Sequence, residues 1–112
     1  MKKYGVYLID EAEKDLIDLS LAISLGDSPT KADFVIDHLE KLCESLGAYP
    51  LRGHVPPELE RIGVTDYREL HFKPYRVIYH VAGRKVFIHG ILDGRRDMQE
   101  LLQRRLLRSS RP

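Results

Sequence analysis

The sequence contains a single cysteine, Cys43, among its 112 residues. One cysteine can neither form an intramolecular disulfide nor supply the thiolate cluster of a structural zinc site. No apolar run approaches the roughly 20 residues of a membrane-spanning helix, so we expect no contact with a membrane. Asp10 and Glu11 interrupt the apolar stretch that would follow Lys2 and Lys3 in a secretory signal, and we therefore expect a cytoplasmic protein.

The chain also lacks a large net charge, which is +1 at neutral pH with histidine neutral. The charges are nevertheless segregated along the chain. Residues 1–64 contain 7 Lys/Arg and 12 Asp/Glu, a net of −5, whereas residues 65–112 contain 11 Lys/Arg and 5 Asp/Glu, a net of +6. This distribution allows the second half to present a basic face to an acidic partner, although separate solvated faces would give the same pattern.

Two amphipathic helices are predicted after a short opening strand over residues 4–9. Asp10 and Glu13 have the spacing of a capping box, in which Asp10 accepts from the helix backbone and Glu13 reaches back. Ser28 and Pro29 predict the start of the second helix, because proline at the first helical position loses no hydrogen bond. The apolar positions recur at steps of three and four and predict an antiparallel helical hairpin: Ala12, Leu16, Leu19, Ile23, Ala32, Val35, Ile36, Leu39, Leu42 and Leu46.

The second half predicts a connector, three strands and one more helix. Residues 48–65 are rich in proline and glycine and are expected to have little regular structure. Strands are predicted over 67–72, 75–81 and 85–92, the last two joined by a tight turn at 82–84. The last helix is predicted by the apolar residues Met98, Leu101, Leu102 and Leu106. The expected order is β-α-α-β-β-β-α, an α+β domain with the helical hairpin packed on a small antiparallel sheet.

Four segments of the chain carry a family resemblance. The first is the opening strand with its acidic helix start, residues 7–16, and the second is the hairpin end with its Pro/Arg/Gly loop, residues 42–53. The third joins Tyr67-Arg68-Glu69-Leu70 to Tyr75-Arg76-Val77-Ile78-Tyr79, and the fourth is Ile88-His89-Gly90-Ile91-Leu92-Asp93-Gly94-Arg95-Arg96-Asp97. In this order and spacing the segments, which cover most of the chain from about residue 4 to residue 102, resemble the RelE/ParE superfamily of bacterial toxins.

The resemblance implies a toxin of a bacterial type II toxin–antitoxin module, a growth inhibitor associated with plasmid stabilization. Its partner would be a cognate antitoxin that wraps over the toxin as an extended and often helical peptide, and operator DNA would be contacted only through that antitoxin. The superfamily divides by target. RelE-like members cleave messenger RNA on the ribosome, whereas ParE-like members poison DNA gyrase and are not known as nucleases. No cofactor is implied.

The arginines of the second half are the candidate site residues. The resemblance places Arg76 at the family's strand arginine, Arg96 at the arginine near the last loop and Arg68 in the third-strand cluster. In a nuclease these three would surround the cleaved phosphate, with His80 as a proton shuttle on the strand face of Arg76. For either target we expect a cationic sheet face, centred on Arg76 and Arg96, opposite the two acidic helices.

Two positions depart from the nuclease pattern. Leu70 stands at the family's next basic position, and Leu102 stands at the position of its carboxyl-terminal tyrosine. Arginine stays protonated near neutral pH and shuttles protons poorly, so these departures favour a ParE-like binding protein. The expected target-binding residues are Arg76, Arg95 and Arg96. The expected antitoxin-binding residues are Arg76, Arg96, Arg104 and Arg105.

Structural roles would explain the same arginines. Arg76 would pair with Glu69 across the strand hairpin as a surface ion pair, which contributes little stability. Arg95 and Arg96 would bond to the neighbouring aspartates, Asp93 and Asp97.

The histidines offer a second source of proton-transfer groups. His71, His80 and His89 lie on or beside the predicted strands, and His80 is expected to face solvent unless it is catalytic. His89 is expected to be partly buried and tied to backbone. His38 and His54 are assigned no role. The histidines show no metal-ligand spacing along the sequence, so no metal site is predicted.

Three functions are compatible with the sequence. The leading one is a ParE-like inhibitor of DNA gyrase, and the alternative is a RelE-like ribosome-dependent endoribonuclease. A third is a non-toxic relic that only binds its partner.

The antitoxin is expected to pack against the helical hairpin and the sheet edge, with acidic segments meeting Arg76, Arg96 and the carboxyl-terminal arginines. We expect one toxin domain over residues 1–112, ending in a basic tail at 104–112.

Overall fold

The computed structural model describes residues 3–107, which form a four-stranded sheet with helices on both faces. The predicted β-α-α-β-β-β-α order is confirmed, with one short helix added in the connector. The elements are β1 (Gly5–Leu8), α1 (Asp10–Gly26), α2 (Pro29–Glu44), α3 (Pro57–Glu60), β2 (Arg68–Phe72), β3 (Tyr75–Ala82), β4 (Lys85–Asp93) and α4 (Met98–Leu107). Of the predicted basic tail, Arg104 and Arg105 belong to α4, and residues 108–112 lie outside the described part of the chain.

The sheet is mixed rather than wholly antiparallel. Its strand order is β1-β4-β3-β2, and β1 runs parallel to β4 while the other neighbours are antiparallel. The β3–β4 register shifts between Ile78, which faces Gly90, and Tyr79, which faces Ile88, so that His89 is the extra residue of a bulge. The turn from β3 to β4 uses Gly83 at a φ of +61°, a conformation that costs glycine little.

The two long helices begin in different ways. Ser28 caps α2 as predicted, because its hydroxyl oxygen accepts from the Lys31 N–H at 3.1 Å. The predicted capping box of α1 is wrong. Ile9 is the N-cap residue and no side chain caps the helix, since β1 runs directly into α1 and Asp10 is already helical. Asp10 and the other acidic residues of the first turn instead stabilise the positive end of the helix dipole.

Apolar residues fill both sides of the sheet. On one side the α1–α2 hairpin buries its predicted stripe against the strands, with Ala12, Leu39, Val77 and Tyr79 at 0% exposure. On the other side α3 and α4 pack on Ile78 and Leu92, and this second cluster also contains Leu59, Met98, Leu101, Leu102 and Leu106. Each helix is therefore stabilised by the apolar face that it buries. No helix within residues 3–107 combines the length and the hydrophobicity that a membrane crossing requires.

The connector after α2 is tied to the sheet through Tyr79. The buried Tyr79 hydroxyl donates to the Pro50 carbonyl at 2.9 Å and accepts from the Gly53 N–H at 2.9 Å. A side chain at Gly53 would meet the Glu69 carbonyl oxygen and the Tyr79 hydroxyl at 2.6 Å each, so only glycine permits this approach. Arg68 adds a hydrogen bond to the Gly53 carbonyl at 2.7 Å. The loop is thus held in a defined position beside β2.

Candidate functional site

Arg76 is held between two glutamates instead of lying on the surface. Its Nη1 and Nη2 atoms donate to the two carboxylate oxygens of Glu58 at 2.9 and 2.7 Å, and its Nε donates to Glu69 Oε1 at 2.6 Å. The side chains of Arg76, Glu58 and Glu69 are 11%, 15% and 1% exposed. The hydrogen bonds that Glu58 accepts from Arg76 lower the pKa of Glu58. The hydrogen bonds that Arg76 donates, to Glu58 first and to Glu69 next, raise the pKa of Arg76. The expected pairing of Arg76 with Glu69 is present, but it is buried, and the three groups together carry a charge of −1.

The cationic sheet face predicted from Arg68, Arg76 and Arg96 is not formed. Arg68 lies opposite Tyr79 in the β2–β3 register, an odd number of residues from Arg76, so the two arginines project to opposite faces of the sheet. Arg76 faces α3. Arg96 lies beyond β4 and beside α1, where it lines a small groove of about 220 Å³ with Asp18 and other α1 residues. Arg68 and Arg76 therefore cannot hold one phosphate between them.

Three exposed arginines lie at the turn from β4 to α4 and on α4 itself. Arg95 and Arg96 are both exposed. Arg95 forms a two-pronged ion pair with Asp93, at 2.9 and 2.6 Å, which lowers the pKa of Asp93 and raises that of Arg95. Arg96 donates its backbone N–H to the Asp93 carbonyl. Arg104 is 50% exposed on α4 and lies 3.9 Å from Glu100. These side chains are accessible to a partner.

Arg105 holds α4 to the rest of the domain. Its Nη1 and Nη2 donate to the Asp15 carboxylate of α1 at 3.2 and 2.9 Å, and Nη2 also donates to the His89 carbonyl at 3.0 Å. Asp15 accepts a further bond from the Ile91 N–H at 3.0 Å, on the part of β4 that extends beyond β1. The Arg105 side chain is only 15% exposed. The predicted antitoxin contact of Arg105 is therefore occupied by a contact within the domain.

His80 and His89 form a pair on the α4 side of the sheet. Nδ1 of His80 lies 2.7 Å from Nε2 of His89, and both rings are partly buried. Burial first, then His80 and Arg105, lower the pKa of His89 from 6.5 to about 4. The Tyr67 ring stands edge-on to both imidazoles, with centroids 5.8 and 5.3 Å away. The expectation that His80 faces solvent is wrong, and the side chain of His89 contacts His80 instead of backbone.

An apolar groove lies between β1 and the helical hairpin. It encloses about 980 Å³ and is lined by Val6, Tyr7, Leu8, Glu13, Leu16, Ile17, Ser20, Leu21, Ser24, Ile36 and Glu40. β1 is an edge strand. The Gly5 N–H donates to Arg84, just before β4, and the Ile9 N–H donates to Ile88 of β4, so the alternate peptide groups, those of Val6 and Leu8, point away from β4. The groove thus combines apolar side chains with strand backbone that pairs with nothing in the described part of the chain.

A second apolar stripe on α1 borders this groove. Ile17, Leu21 and Leu25 follow one another at four-residue steps and are 69%, 59% and 80% exposed. Phe34 on α2 is 60% exposed. Helices that bury one face in a domain ordinarily carry polar residues on the other, so a second apolar stripe indicates a surface that another chain covers. The four-residue spacing was the available sequence signal for this surface.

Comparisons with known proteins identify the family. The profile of the family described as "ParE toxin of type II toxin-antitoxin system, parDE" matches residues 6–98, which are 93 of the 112 residues of the chain. The chain belongs to this ParE toxin family. It is therefore a toxin of the type II toxin–antitoxin class. A comparison with curated proteins found no match.

Two solved structures share the fold of this ParE-family chain. The chromosomal ParDE toxin–antitoxin system from Pseudomonas aeruginosa has a TM-score of 0.67 and 19% identity, covering 80% of this chain and 94% of that one. The RelBE2 toxin–antitoxin complex from Mycobacterium tuberculosis has a TM-score of 0.57 and 22% identity, covering 83% of this chain and 93% of that one. At these identities the likeness establishes the common architecture.

The two departures from the nuclease pattern are core residues in this ParE-family toxin. Leu70 lies in β2 at 8% exposure and packs in the cluster beneath the helical hairpin. Leu102 lies in α4 at 1% exposure, in the cluster on the opposite face of the sheet. Neither position provides a proton-transfer group, and each is accounted for by packing.

The ParE-family chain also brings together two histidines and a buried carboxylate that were not grouped by sequence analysis. His54 Nε2 and His71 Nε2 lie 3.0 and 3.2 Å from the same oxygen, Oε2 of Glu69. These three ligand atoms all lie within 4.8 Å of one another. His54, in the connector, forms a backbone bridge with Glu69 of β2, and this pairing has no signature in the spacing of the histidines.

Proposed function

We propose that this toxin acts by binding DNA gyrase and poisoning it, without cleaving RNA. The observation that carries the proposal is the arrangement around Arg76. A nuclease on this sheet would need free positive charge to hold a phosphate and to stabilise the charge that develops on it. Here Arg76 is paired with both Glu58 and Glu69, and a phosphate would meet a cluster of net charge −1.

The proposed gyrase contact uses the exposed arginines near the β4–α4 turn. Arg96 is the strongest candidate, because its exposed side chain makes no ion pair with any described residue. Arg95 would contribute less, since it already neutralises Asp93. A group of exposed arginines favours association with an acidic surface, chiefly because it raises the association rate. Gyrase is a cytoplasmic enzyme, so the proposal implies a cytoplasmic toxin.

A gyrase assay and a translation assay together test the proposed target. The chain should inhibit supercoiling by purified gyrase, and its expression should cause filamentation and induction of the DNA-damage response. Arg96→Glu should weaken gyrase inhibition about tenfold or more, whereas Lys31→Glu, a charge reversal at an exposed site on α2, should leave it unchanged. Gyrase inhibition that is absent, or identical in both variants, would contradict the proposal.

The alternative is a ribosome-dependent endoribonuclease centred on His80. The observation that favours it is the 2.7 Å contact between His80 and His89, because two coupled imidazoles provide the proton-transfer groups that arginines lack. In this case expression should stop translation rapidly, with messenger RNA cut at defined codon positions. His80→Asn should then abolish cutting. Growth that continues unaffected in both assays would favour a non-toxic protein that only binds its partner.

The proposed partner is a cognate antitoxin that occupies the groove beside β1. The backbone of Val6 and Leu8, which pairs with no residue among 3–107, offers hydrogen bonds to an added strand, and the stripe of Ile17, Leu21 and Leu25 offers anchors to an amphipathic helix. Acidic antitoxin residues would meet Arg95, Arg96 and Arg104, because Arg76 and Arg105 are already paired within the domain. Operator DNA would be bound through the antitoxin.

A further inference from the structure

We propose that His54, Glu69 and His71 form a binding site for a divalent transition-metal ion, with Zn²⁺ as the best-matched ion. Two imidazole nitrogens and one carboxylate oxygen are a donor set that suits zinc, and three protein ligands leave one position for water. The site is separate from the exposed arginines and from the groove. It does not depend on which target the toxin has.

The carboxylate oxygen already lies at nearly tetrahedral spacing from each imidazole nitrogen. Zinc binds imidazole nitrogen and carboxylate oxygen at about 2.0–2.2 Å, which places neighbouring ligand atoms of a tetrahedron about 3.3 Å apart. The observed separations from Glu69 Oε2 are 3.0 Å to His54 Nε2 and 3.2 Å to His71 Nε2. The two rings are close and tilted, with centroids 5.4 Å apart at 42°. The two imidazole nitrogens lie within 4.8 Å of each other, and rotation of the exposed rings would bring them to the spacing that the ion needs.

The ligands are mounted on a rigid frame. The Glu69 N–H donates to the His54 carbonyl at 2.7 Å, and the His54 N–H donates to the Glu69 carbonyl at 3.3 Å. The preceding residue, Gly53, is fixed by the Tyr79 hydroxyl. The second Glu69 oxygen accepts from Arg76 at 2.6 Å, which sets the orientation of the carboxylate. Support of this kind around the ligands strengthens metal binding by reducing the ordering that the ion must impose.

Charge and access also favour a cation at this place. Glu58 and Glu69 together carry one more negative charge than Arg76 neutralises, and Glu69 is 1% exposed. A buried carboxylate with incomplete compensation attracts a positive charge. The side chains of His54 and His71 are 64% and 41% exposed, so an ion can enter the site from solvent on that side. Bound metal would join the connector to the outer edge of β2 and stabilise the folded chain.

In the test, the full-length chain is treated with a chelator and then titrated with ZnCl₂. Calorimetry measures binding, and thermal denaturation measures the change in stability. A parallel series uses MgCl₂. We expect one Zn²⁺ per chain and a rise in Tm with ZnCl₂ but not with MgCl₂, which demands oxygen ligands. His54→Ala and His71→Ala should each weaken Zn²⁺ binding by about tenfold or more. Both histidines are exposed enough for their replacement to leave the fold intact.

His38→Ala is the matched control, because His38 is an exposed histidine on α2 that lies outside the cluster. This variant should bind Zn²⁺ as the unchanged chain does. Co²⁺ should give the intense visible absorption of tetrahedral coordination in the unchanged chain and in His38→Ala, and lose it in His71→Ala. Equal Zn²⁺ affinity in the unchanged chain and in a His54→Ala/His71→Ala double variant would overturn the proposal. So would a failure to bind Zn²⁺ at micromolar concentration.

Discussion

Replacing Arg76 by methionine would leave Glu69, at 1% side-chain exposure, without its cation. Removing one partner of a buried ion pair ordinarily costs about 3–5 kcal/mol, and we expect the free energy of unfolding of Arg76→Met to fall by about that amount. Chemical denaturation measures the change. Arg95→Met is the control, since Arg95 pairs with Asp93 at the surface and its loss should change stability little. A similar small loss for both variants would show that the Arg76 cluster contributes little to stability.

His89 makes the stability of the domain depend on pH. Its pKa is about 4 in the folded chain against 6.5 for an ordinary histidine, mainly because of burial. Between pH 4 and pH 6.5 the unfolded chain binds a proton at this position that the folded chain does not, so protonation favours the unfolded state. The stability that the domain has with His89 neutral is therefore complete above pH 6.5. This stability decreases as the pH falls from 6.5 to 4, and it is lost below pH 4.

The variant His89→Asn isolates this pH dependence. Denaturation midpoints measured from pH 7 to pH 4 should decline less steeply for His89→Asn than for the unchanged chain, because the variant has no imidazole to protonate. His38→Ala removes an exposed histidine whose ring stacks on Phe72 of β2, and it should keep the original slope. If the slopes of the unchanged chain and His89→Asn coincide, burial of His89 is not linked to folding.

At the scale of an element, α4 is held to the domain by apolar packing and by the ion pairs of Arg105 with Asp15 and Glu11. Arg105 reaches Asp15 of α1 at 2.9 Å, and Asp15 also accepts from the Ile91 N–H. We expect Arg105→Met to increase hydrogen exchange across Met98–Leu107 while the amides of β3 remain protected, since local opening costs less than global unfolding. Arg104→Met, which removes only a 3.9 Å surface contact, should leave the exchange of α4 unchanged. Equal exchange in the two variants would assign the docking of α4 to packing alone.

At the scale of the whole molecule, the groove beside β1 is an apolar surface that a partner could cover. Leu21→Lys places a charge on the 59% exposed stripe of α1, and we expect antitoxin affinity to fall about tenfold or more, as is typical of an interface anchor. Ile62→Lys is the matched control, because Ile62 is 43% exposed but lies after α3. Binding by calorimetry, with thermal denaturation of each variant, separates lost affinity from lost fold. Undiminished affinity in Leu21→Lys would place the antitoxin elsewhere.

The element order of this ParE-family chain could be predicted because it depends on local patterns. The stripes at Ala12 and Leu39, the cap at Ser28 and the turn at Gly83 are each encoded within a few neighbouring residues. The helix start at Asp10 was assigned to the wrong cap because the strand before it decides which residue stays extended. The parallel partnership of β1 with β4 joins residues 80 positions apart, and no local pattern specifies it.

The candidate site depended far more on tertiary structure. The sequence alone determined the α+β class, the family and the positions of the exposed cations Arg95 and Arg96, because these follow from local spacing and from the order of segments. Only the fold decided that Arg76 meets Glu58 from the connector, and that His54 meets Glu69 and His71. The physical reason is that the charge state and accessibility of a side chain depend on the groups that surround it in space, and these come from distant parts of the chain.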